Sequence, residues 1–479
     1  TKKVGLDHIN INSSIFSAIP ALKWPGHANL TVSIVLVFKG KWGGQYFLNG
    51  SPVCRIGSSL IEAAENDIEP NFLKSNQSLS FQGSIVLGQG FVLDEQTADD
   101  LIKRNPKNRD VIYKYLRGED FTTDPEQRPK YWVINFFDWP LNNETAPSGY
   151  VGPVAEDYPD CLEIIKNLVM PERTRRNSNG EYVLRRPLPQ KWWIYSDKRP
   201  ALYKAISEKS RILFHSFTGK YVAFSFVPVG YVYAGPHNVF SLDKYSDFAV
   251  LQSALHQAWA WKHCSTLETR LRYANKNIFE TFPFPTITQQ LDQIGQEFYS
   301  FRQSLMLKKQ VGLTDLYNKF NDPKEDNSDF RILRSLHQAM DNAVLAAYEW
   351  TDVDLNHDFH SVGYLPESDR LRFTISEAAR LEVLCRLSAL NLKRYDEEVA
   401  QGLHGGTASR SKVWGQRKGR TSTTNSAQPA FNFDEDISGT RSPDPADAIL
   451  KFLVSRAGWC TKANVLSATS LTDGQWNAA

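Results

Sequence analysis

Phe282-Pro283-Phe284-Pro285 constrains this chain more than any other four residues. Each proline lacks a backbone N–H and pushes the residue before it out of helical geometry. No helix and no central strand can run through the tetrapeptide, so it is a fixed boundary. Ahead of it the apolar residues come in short alternating runs; behind it they fall at helical spacing.

The first 62 residues read as strands: "ININSSIFSAI", the Val/Ile-rich "ANLTVSIVLVFKG", and two short strands around Gly43-Gly44 and Asn49-Gly50, a hairpin signal. From 62 to about 245, short strands and helices alternate. "SFQGSIVLGQGF" (80–91) reads as strand–turn–strand, "KYWVINFFDW" (130–139) and "KWWIYS" (191–196) as strands, and "YVAFSFVPVGYVYAG" (221–235) as a pair of strands. "SDFAVLQSALHQAWAWKH" (246–263) reads as one helix with Phe248, Leu251, Leu255 and Trp259 on one face. The stretch before the boundary, with Arg270, Arg272 and Tyr273, opens like a helix surface.

From about 287, "TQQLDQIGQEFYSFRQSLMLKK" and "DFRILRSLHQAMDNAVLAAYEW" are amphipathic helices. "TISEAARLEVLCRLSALNLKRYDEEV" opens with Thr374 and Glu377 at capping-box spacing. Residues 402–444 are rich in Gly, Ser and Thr, carry Arg410, Lys412, Arg417, Lys418 and Arg420, and read as a disordered linker. Residues 445–479 then have helix-turn-helix layout, with Thr472 or Asp473 capping a third helix that stops in its first turn. With Thr1 in place of an initiator Met, the chain is expected to be part of a longer polypeptide.

The chemistry is as telling in what it lacks. No G-x-S-x-G, H-E-x-x-H, paired C-x-x-C, Walker loop or G-x-G-x-x-G occurs. His357 and His360 in "HDFH" have nothing nearby to complete a metal set, and read as ordinary loop histidines. The glycines of 80–91 do not run into a helix N-terminus, as a phosphate cradle requires. Five cysteines far apart argue for a reducing compartment and buried, inert thiols. No apolar run is long enough to span a bilayer and no signal peptide is present, so a cytoplasmic location is expected.

A net charge of +2 hides basic clusters. "PERTRRNSNGEYVLRRPLPQKWW" (171–193) holds Arg173, Arg175, Arg176, Arg185, Arg186 and Lys191 around a flexible "NSNG" turn, with Trp192-Trp193 directly after. Arg199 follows in "SDKRPAL". A solvated loop and a nucleic-acid contact both fit these residues. The charges, almost all of one sign, the excess of Arg over Lys and the adjacent indoles suit phosphate oxygens and guanine edges. The linker cations fit either non-specific phosphate attraction or a plain solubilising role.

Several stretches in fixed order resemble a known family: "WPGHANLTVSIVLVFKG", "SFQGSIVLGQGFVL", "VIYKYLRGEDF", "YWVINFFDWP", "PERTRR…KWWIYSDKRPALYKAI" and "FAVLQSALHQAWAWKHCSTLETRLRYANKNIFETFPFP". Together they are similar to the region after the catalytic motifs in adenine-specific DNA methyltransferases of the MmeI-type restriction–methylation group and of phage-defence systems such as DISARM. The likeness is dense over 1–285 and looser through the later helices. It implies a mixed α/β (α+β) chain: the last strands of a methyltransferase sheet in 1–61, an α+β target-recognition domain in 62–285 and a helical region in 286–401. A disordered linker in 402–444 and a partial winged helix in 445–479 complete the expected layout. It also implies a helix packing back toward a catalytic core before Phe-Pro-Phe-Pro, with Arg270 and Arg272 as its surface charges.

The implied function is recognition of double-stranded DNA for adenine-N6 methylation, with Arg173, Arg175, Arg176, Arg185, Arg186, Lys191 and Arg199 as DNA-binding candidates. The family's S-adenosylmethionine loop and its Asn-Pro-Pro-aromatic tetrapeptide are both missing; no Pro-Pro pair occurs anywhere. The chain alone is therefore expected to hold no cofactor and to transfer no methyl group. S-adenosyl-L-methionine and a catalytic portion belong to the expected full-length protein, and other defence-system subunits are further expected partners. The alternative is a non-catalytic scaffold binding protein partners in a defence complex. An unrelated small-molecule enzyme would need a clustered catalytic set, which the sequence lacks.

Overall fold

The structure, a computed structural model, describes residues 69–267, 270–365 and 367–404, together with 13–23, 31–40, 42–53 and a few neighbouring positions. Backbone contacts divide the chain into a compact unit of residues 1–407 and a second of 408–479. The expected helix-turn-helix, its caps at Thr472 and Asp473, and all of the linker beyond 404 lie outside the described residues.

The amino-terminal strands form as their alternation predicts. β1 (Ser13–Lys23) pairs antiparallel with β2 (Thr31–Lys39), and β3 (Tyr46–Leu48) lies parallel to β1 and turns into β4 (Ser51–Val53). Asn49 and Gly50 both take positive φ, 52° and 82°, the requirement of a tight two-residue hairpin turn. Ile15, Ala18, Ile56 and Leu60 make a small core, while β2 is an edge strand with Ile34, Leu36 and Phe38 exposed.

A second core is built on the sheet β12-β7-β8-β6, made of β6 (Val92–Leu93), β7 (Ile112–Leu116), β8 (Tyr131–Ile134) and β12 (Val232–Tyr233). Two helices pack on it, while α2 (Gly118–Thr123), between them in sequence, buries Phe121 in another core. α1 (Glu95–Arg104) is capped by Asp94, which accepts from Thr97 N, and buries Ala98 and Leu101. α3 (Pro159–Leu168) starts on the proline its first turn tolerates and buries Cys161 and Ile165. "KWWIYS" is not the expected strand. Trp193, Ile194 and Tyr195 are all buried in succession, which a one-faced strand does not allow; a series of turns folds them into this core.

The largest core surrounds an antiparallel sheet, β11-β9-β13-β5, of β5 (Ser80–Gln82), β9 (Arg211–His215), β11 (Phe224–Pro228) and β13 (Asn238–Phe240). The two strands read in 221–235 exist but do not pair with each other. β11 joins this sheet and β12 the other, so the chain crosses between cores there. Gly83 makes the crossing possible: a Cβ at this position would stand 2.4 Å from the carbonyl oxygen of Tyr233.

Two expectations near the boundary are corrected. The helix read over 246–263 is two helices, α6 (Tyr245–Gln252) and α7 (Ala254–His263), broken at Ser253, whose hydroxyl caps α7 by accepting from His256 N at 3.2 Å. The Arg270/Arg272 stretch is a hairpin, not a helix: β14 (Ser265–Leu267) pairs with β15 (Arg270–Arg272), and β15 also pairs with β10 (Thr218–Gly219). Arg-Leu-Arg alternates exposed, buried, exposed, which is strand period. One short helix, α8 (Asn275–Ile278), precedes Phe-Pro-Phe-Pro, where Phe282 is fully buried and the carbonyl of Pro283 accepts from Tyr348 Oη at 2.8 Å.

Beyond the boundary α9 (Gln289–Lys309), α11 (Ser328–Ala347) and α12 (Glu377–Ala400) form as read, and α10 (Leu313–Phe320) is a further helix between the first two. They pack on the same core as the strands, which runs from Leu116 to Leu387, so residue 285 ends an element but not a core. The cap of α12 is Ser376, accepting from Ala379 N at 3.2 Å; Thr374 instead ends β17 (Leu371–Thr374), the partner of β16 (Asp358–Ser361). His357 bonds Asp341 at 2.8 Å and His360 bonds the carbonyl of Asn356 at 2.8 Å. No group of His, Cys, Asp and Glu among the described residues is arranged to hold a metal. Cys161 is buried and Cys264 half-buried, both pushed up to about 12 by burial, but Cys385 is exposed, against the expectation of uniformly buried thiols. No helix among the described residues is long and apolar enough to cross a membrane.

Gly295 gives a direct test of this packing. A Cβ there would lie 2.3 Å from the carbonyl oxygen of Tyr245 and 3.1 Å from Ala249 Cβ, where α9 crosses α6. Helix propensity alone would favour alanine by about 1 kcal/mol. The backbone clash outweighs it, and Gly295→Ala is expected to lower unfolding stability by about 1–3 kcal/mol in urea.

Candidate nucleic-acid interface

The basic stretch begins at α4 (Met170–Arg173), which follows α3 with hardly a break. Arg173 is fully buried. Its Nη1 donates to the carbonyls of Ile194 at 2.6 Å and Lys191 at 3.4 Å; its Nη2 donates to Val86 at 2.9 Å and Leu87 at 2.6 Å; its Nε donates to Leu87 at 3.2 Å. The guanidinium also lies over the Phe91 ring. Burial lowers its pKa to about 10, which leaves it a cation at neutral pH. Its donors are spent on backbone carbonyls, so the expectation that Arg173 contacts phosphate is replaced by a mounting role: it ties the root of the basic stretch to residues 86–87 and 191–194.

Beyond it, residues 175–183 fold into a hairpin. Val183 N donates to Arg175 O at 3.0 Å, Asn177 N to Glu181 O at 2.8 Å, and Gly180 N to Asn177 O at 3.0 Å, closing the turn. Gly180 takes φ 79°, the left-handed residue such a turn needs. The Asn177 side chain locks the turn, its Oδ1 accepting from Asn179 N and Glu181 N at 3.0 Å each. Arg176 Nη1 bonds Gly180 O at 2.6 Å and its guanidinium covers Tyr182 at 4.2 Å. The stretch read as a flexible turn is thus held from within.

Arg175, Arg176, Arg185, Arg186 and Lys191 are all exposed, and the acids of 171–191 are only Glu172 and Glu181. The structure therefore brings five of the seven candidates together on one excursion. Arg175, Arg186 and Lys191 make no side-chain hydrogen bond or ion pair with the described residues, which leaves their donors for an external anion. Arg199 is turned inward instead. At φ 52° it starts α5 (Pro200–Ile206) and divides its guanidinium between Asp197 at 3.0 Å, Gly83 O at 3.3 Å and Gln82 Oε1 at 3.2 Å.

An aromatic shelf that the sequence reading missed adjoins the mount. "FFDW" reads as strand, but β8 ends at Ile134; Asn135 Oδ1 accepts from Phe137 N at 2.9 Å and turns Phe137 to φ 52°, leaving its ring partly exposed beside Trp139. Lys198 pairs with Asp138 at 2.6 Å and Trp193 Nε1 donates to Trp139 O at 3.0 Å, joining this turn to 193–198. The available signal was Asn135-Phe136-Phe137, where an asparagine and two adjacent rings break the strand alternation. Chemically, the arrangement offers rings and exposed guanidinium forks, a set that binds anions and stacks on planar groups.

Residues 195–286 match the family model described as MmeI, target recognition domain. This span contains β9–β15 and Phe-Pro-Phe-Pro, and begins just after the basic hairpin. Among solved structures, the chain is similar to the Type IIL restriction–modification enzyme MmeI, solved in complex with DNA, with a TM-score of 0.55 and 15% identity, covering 81% of this chain and 47% of that one. The mixed α/β fold is therefore shared with that enzyme, while this chain spans less than half of its length. The type IIG restriction endonuclease BpuSI matches at a TM-score of 0.28 and 11% identity over 72% of this chain and 45% of that one, too low to bear on the fold. No curated protein matches the chain in sequence.

Proposed function

We propose that this chain recognises duplex DNA sequence for a site-specific adenine-N6 DNA methyltransferase acting in restriction–modification or phage defence. The observation that carries the reading is the target-recognition match over 195–286. The predominantly basic stretch 171–191 mounted beside that span supports it, because phosphate contact supplies a large share of a DNA-binding protein's attraction. In this mechanism the hairpin cations set register on the backbone, loop side chains meet base edges, and the duplex is held for a catalytic portion that extrudes the target adenine.

S-adenosyl-L-methionine belongs, in this reading, to that catalytic portion. The glycine-rich residues 80–91 pass from β5 through one 3-10 turn into β6 and offer no helix N-terminus as a cradle, so they do not fit the cofactor. The exposed apolar residues of edge strand β2 favour a second reading, a scaffold that binds protein partners.

Equilibrium binding of the folded chain to a labelled duplex separates the two. Anisotropy that rises at low salt and falls steeply as salt increases supports recognition. No binding at low salt, with partner capture in the absence of DNA, overturns it in favour of the scaffold.

A further inference from the structure

The hairpin has a tip whose side chains the fold leaves unused. Ser178 and Asn179 occupy the two central positions of the turn closed by Gly180 N and Asn177 O. Both are exposed, and neither side chain hydrogen-bonds to any described residue. Their neighbour Asn177 is the opposite case. Its carbonyl oxygen takes two backbone N–H groups and its amide nitrogen faces Glu181 Oε2 at 3.5 Å, so that side chain is consumed in shaping the turn. One asparagine builds the turn and the other is presented by it.

We infer that Asn179 is a specificity-determining residue that reads a base edge in the DNA major groove, an inference that rests on the DNA-recognition reading above. Three physical features point there. First, a two-stranded ribbon fits the major groove, about 12 Å wide, and not the minor groove, about 6 Å wide. Second, the ribbon is preorganised: Arg173 fixes its root, Arg176 and Asn177 fix its turn, and little ordering remains to oppose binding. Third, Arg175, Arg185 and Arg186 flank the ribbon with exposed cations, which would straddle the phosphates on either side as the tip enters.

The chemistry of the tip names its ligand. A carboxamide presents one acceptor and one donor side by side, which matches the N6 donor and N7 acceptor of adenine. Ser178, with a single rotatable hydroxyl, is compatible with any base and adds little discrimination.

The test uses the full chain and a duplex library with a randomised core, selected for binding and sequenced, run in parallel for wild type, Asn179→Ala, Asn179→Asp and the Arg175→Ala/Arg186→Ala pair. Asn179→Asp keeps the shape of the side chain and removes its donor. Wild type is expected to enrich a motif containing an adenine that both Asn179 variants cease to prefer, with discrimination there reduced roughly 5- to 150-fold. The salt dependence of Asn179→Ala, which changes no charge, should match wild type. The arginine pair should weaken binding across all sequences while keeping the motif. An Asn179→Ala motif identical to wild type, or salt-dependent wild-type binding without any motif, overturns the inference and leaves the DNA-binding reading intact. A wild-type chain that binds no member of the library overturns both.

Discussion

Arg173→Met lowers unfolding stability by about 3–5 kcal/mol, whereas Arg175→Met and Arg186→Met each change it by no more than about 0.5 kcal/mol. All three arginines lie within fourteen residues of one another in the same basic stretch, counting 173 to 186 inclusive. What separates them is burial. Methionine fills much of the volume at 173 but leaves the buried carbonyls of Val86 and Ile194, and the part-buried one of Leu87, without their donors. Those carbonyls join two walls of the second core, so the loss extends to the mount of the hairpin. The exposed arginines lose only solvent-facing charge. Urea unfolding followed by tryptophan fluorescence reads the difference, and equal midpoints for all three variants would contradict the assigned roles.

The second large effect is acid sensitivity. His215, His237 and His256 lie inside the largest core or at its edge, and burial depresses their pKa values to about 3, 4 and 3. His256 bonds Tyr273 Oη at 2.8 Å, and His237 Nε2 accepts from Gly118 N at 3.0 Å, a bond that protonation destroys. The native state keeps all three neutral while the unfolded chain protonates them near the ordinary 6.5. The unfolded state thus binds more protons below that value, so stability is full above about pH 6.5 and declines as pH falls toward 4.

Each histidine contributes about 1.4 kcal/mol per pH unit over that window. Asp247, pushed up to about 6 by burial, takes up a proton in the native state first and offsets one of the three. The net slope is about 3 kcal/mol per pH unit, which exhausts a typical stability of 5–15 kcal/mol within a few pH units. Thermal unfolding at pH 7.5, 6 and 5 should show a Tm that falls steeply across the series, and a less steep fall in His256→Gln. A Tm flat over that range would contradict the neutral burial of these rings.

The sequence was readable where one periodicity acted alone. β1 and β2 alternate on a small core, α9 and α11 repeat at helical spacing, and Phe-Pro-Phe-Pro stops every element by covalent geometry. It was unreadable where tertiary contacts overrode the local pattern. "KWWIYS" has strand composition, yet three consecutive side chains are buried, and only a turn reaches that. Arg270-Leu271-Arg272 is a strand of three residues between β14 beside it and β10 far earlier in the chain, too short for its alternation to show.

At the site, charge was legible and burial was not. The run of arginines identified the excursion but did not show that Arg173 points inward. A signal did exist: Cys161, Ile165, Val169 and Arg173 recur every fourth residue, which places the arginine on the face that α3 buries. Arg302 and Arg334, equally buried among carbonyls and aromatic rings, show that this chain uses arginine as an internal strut more than once.

If this chain holds DNA, the exposed cations of residues 175–191 meet its phosphates. The most direct measurement is the dependence of duplex affinity on salt for wild type and for an Arg175→Ala/Arg186→Ala/Lys191→Ala variant. Each phosphate contact contributes about 0.9 to the slope of log K against log salt. The slope is expected to be shallower by about two to three in the variant, with its unfolding midpoint unchanged. A folded variant with the wild-type slope would contradict it, because the phosphates would then be met elsewhere on the chain.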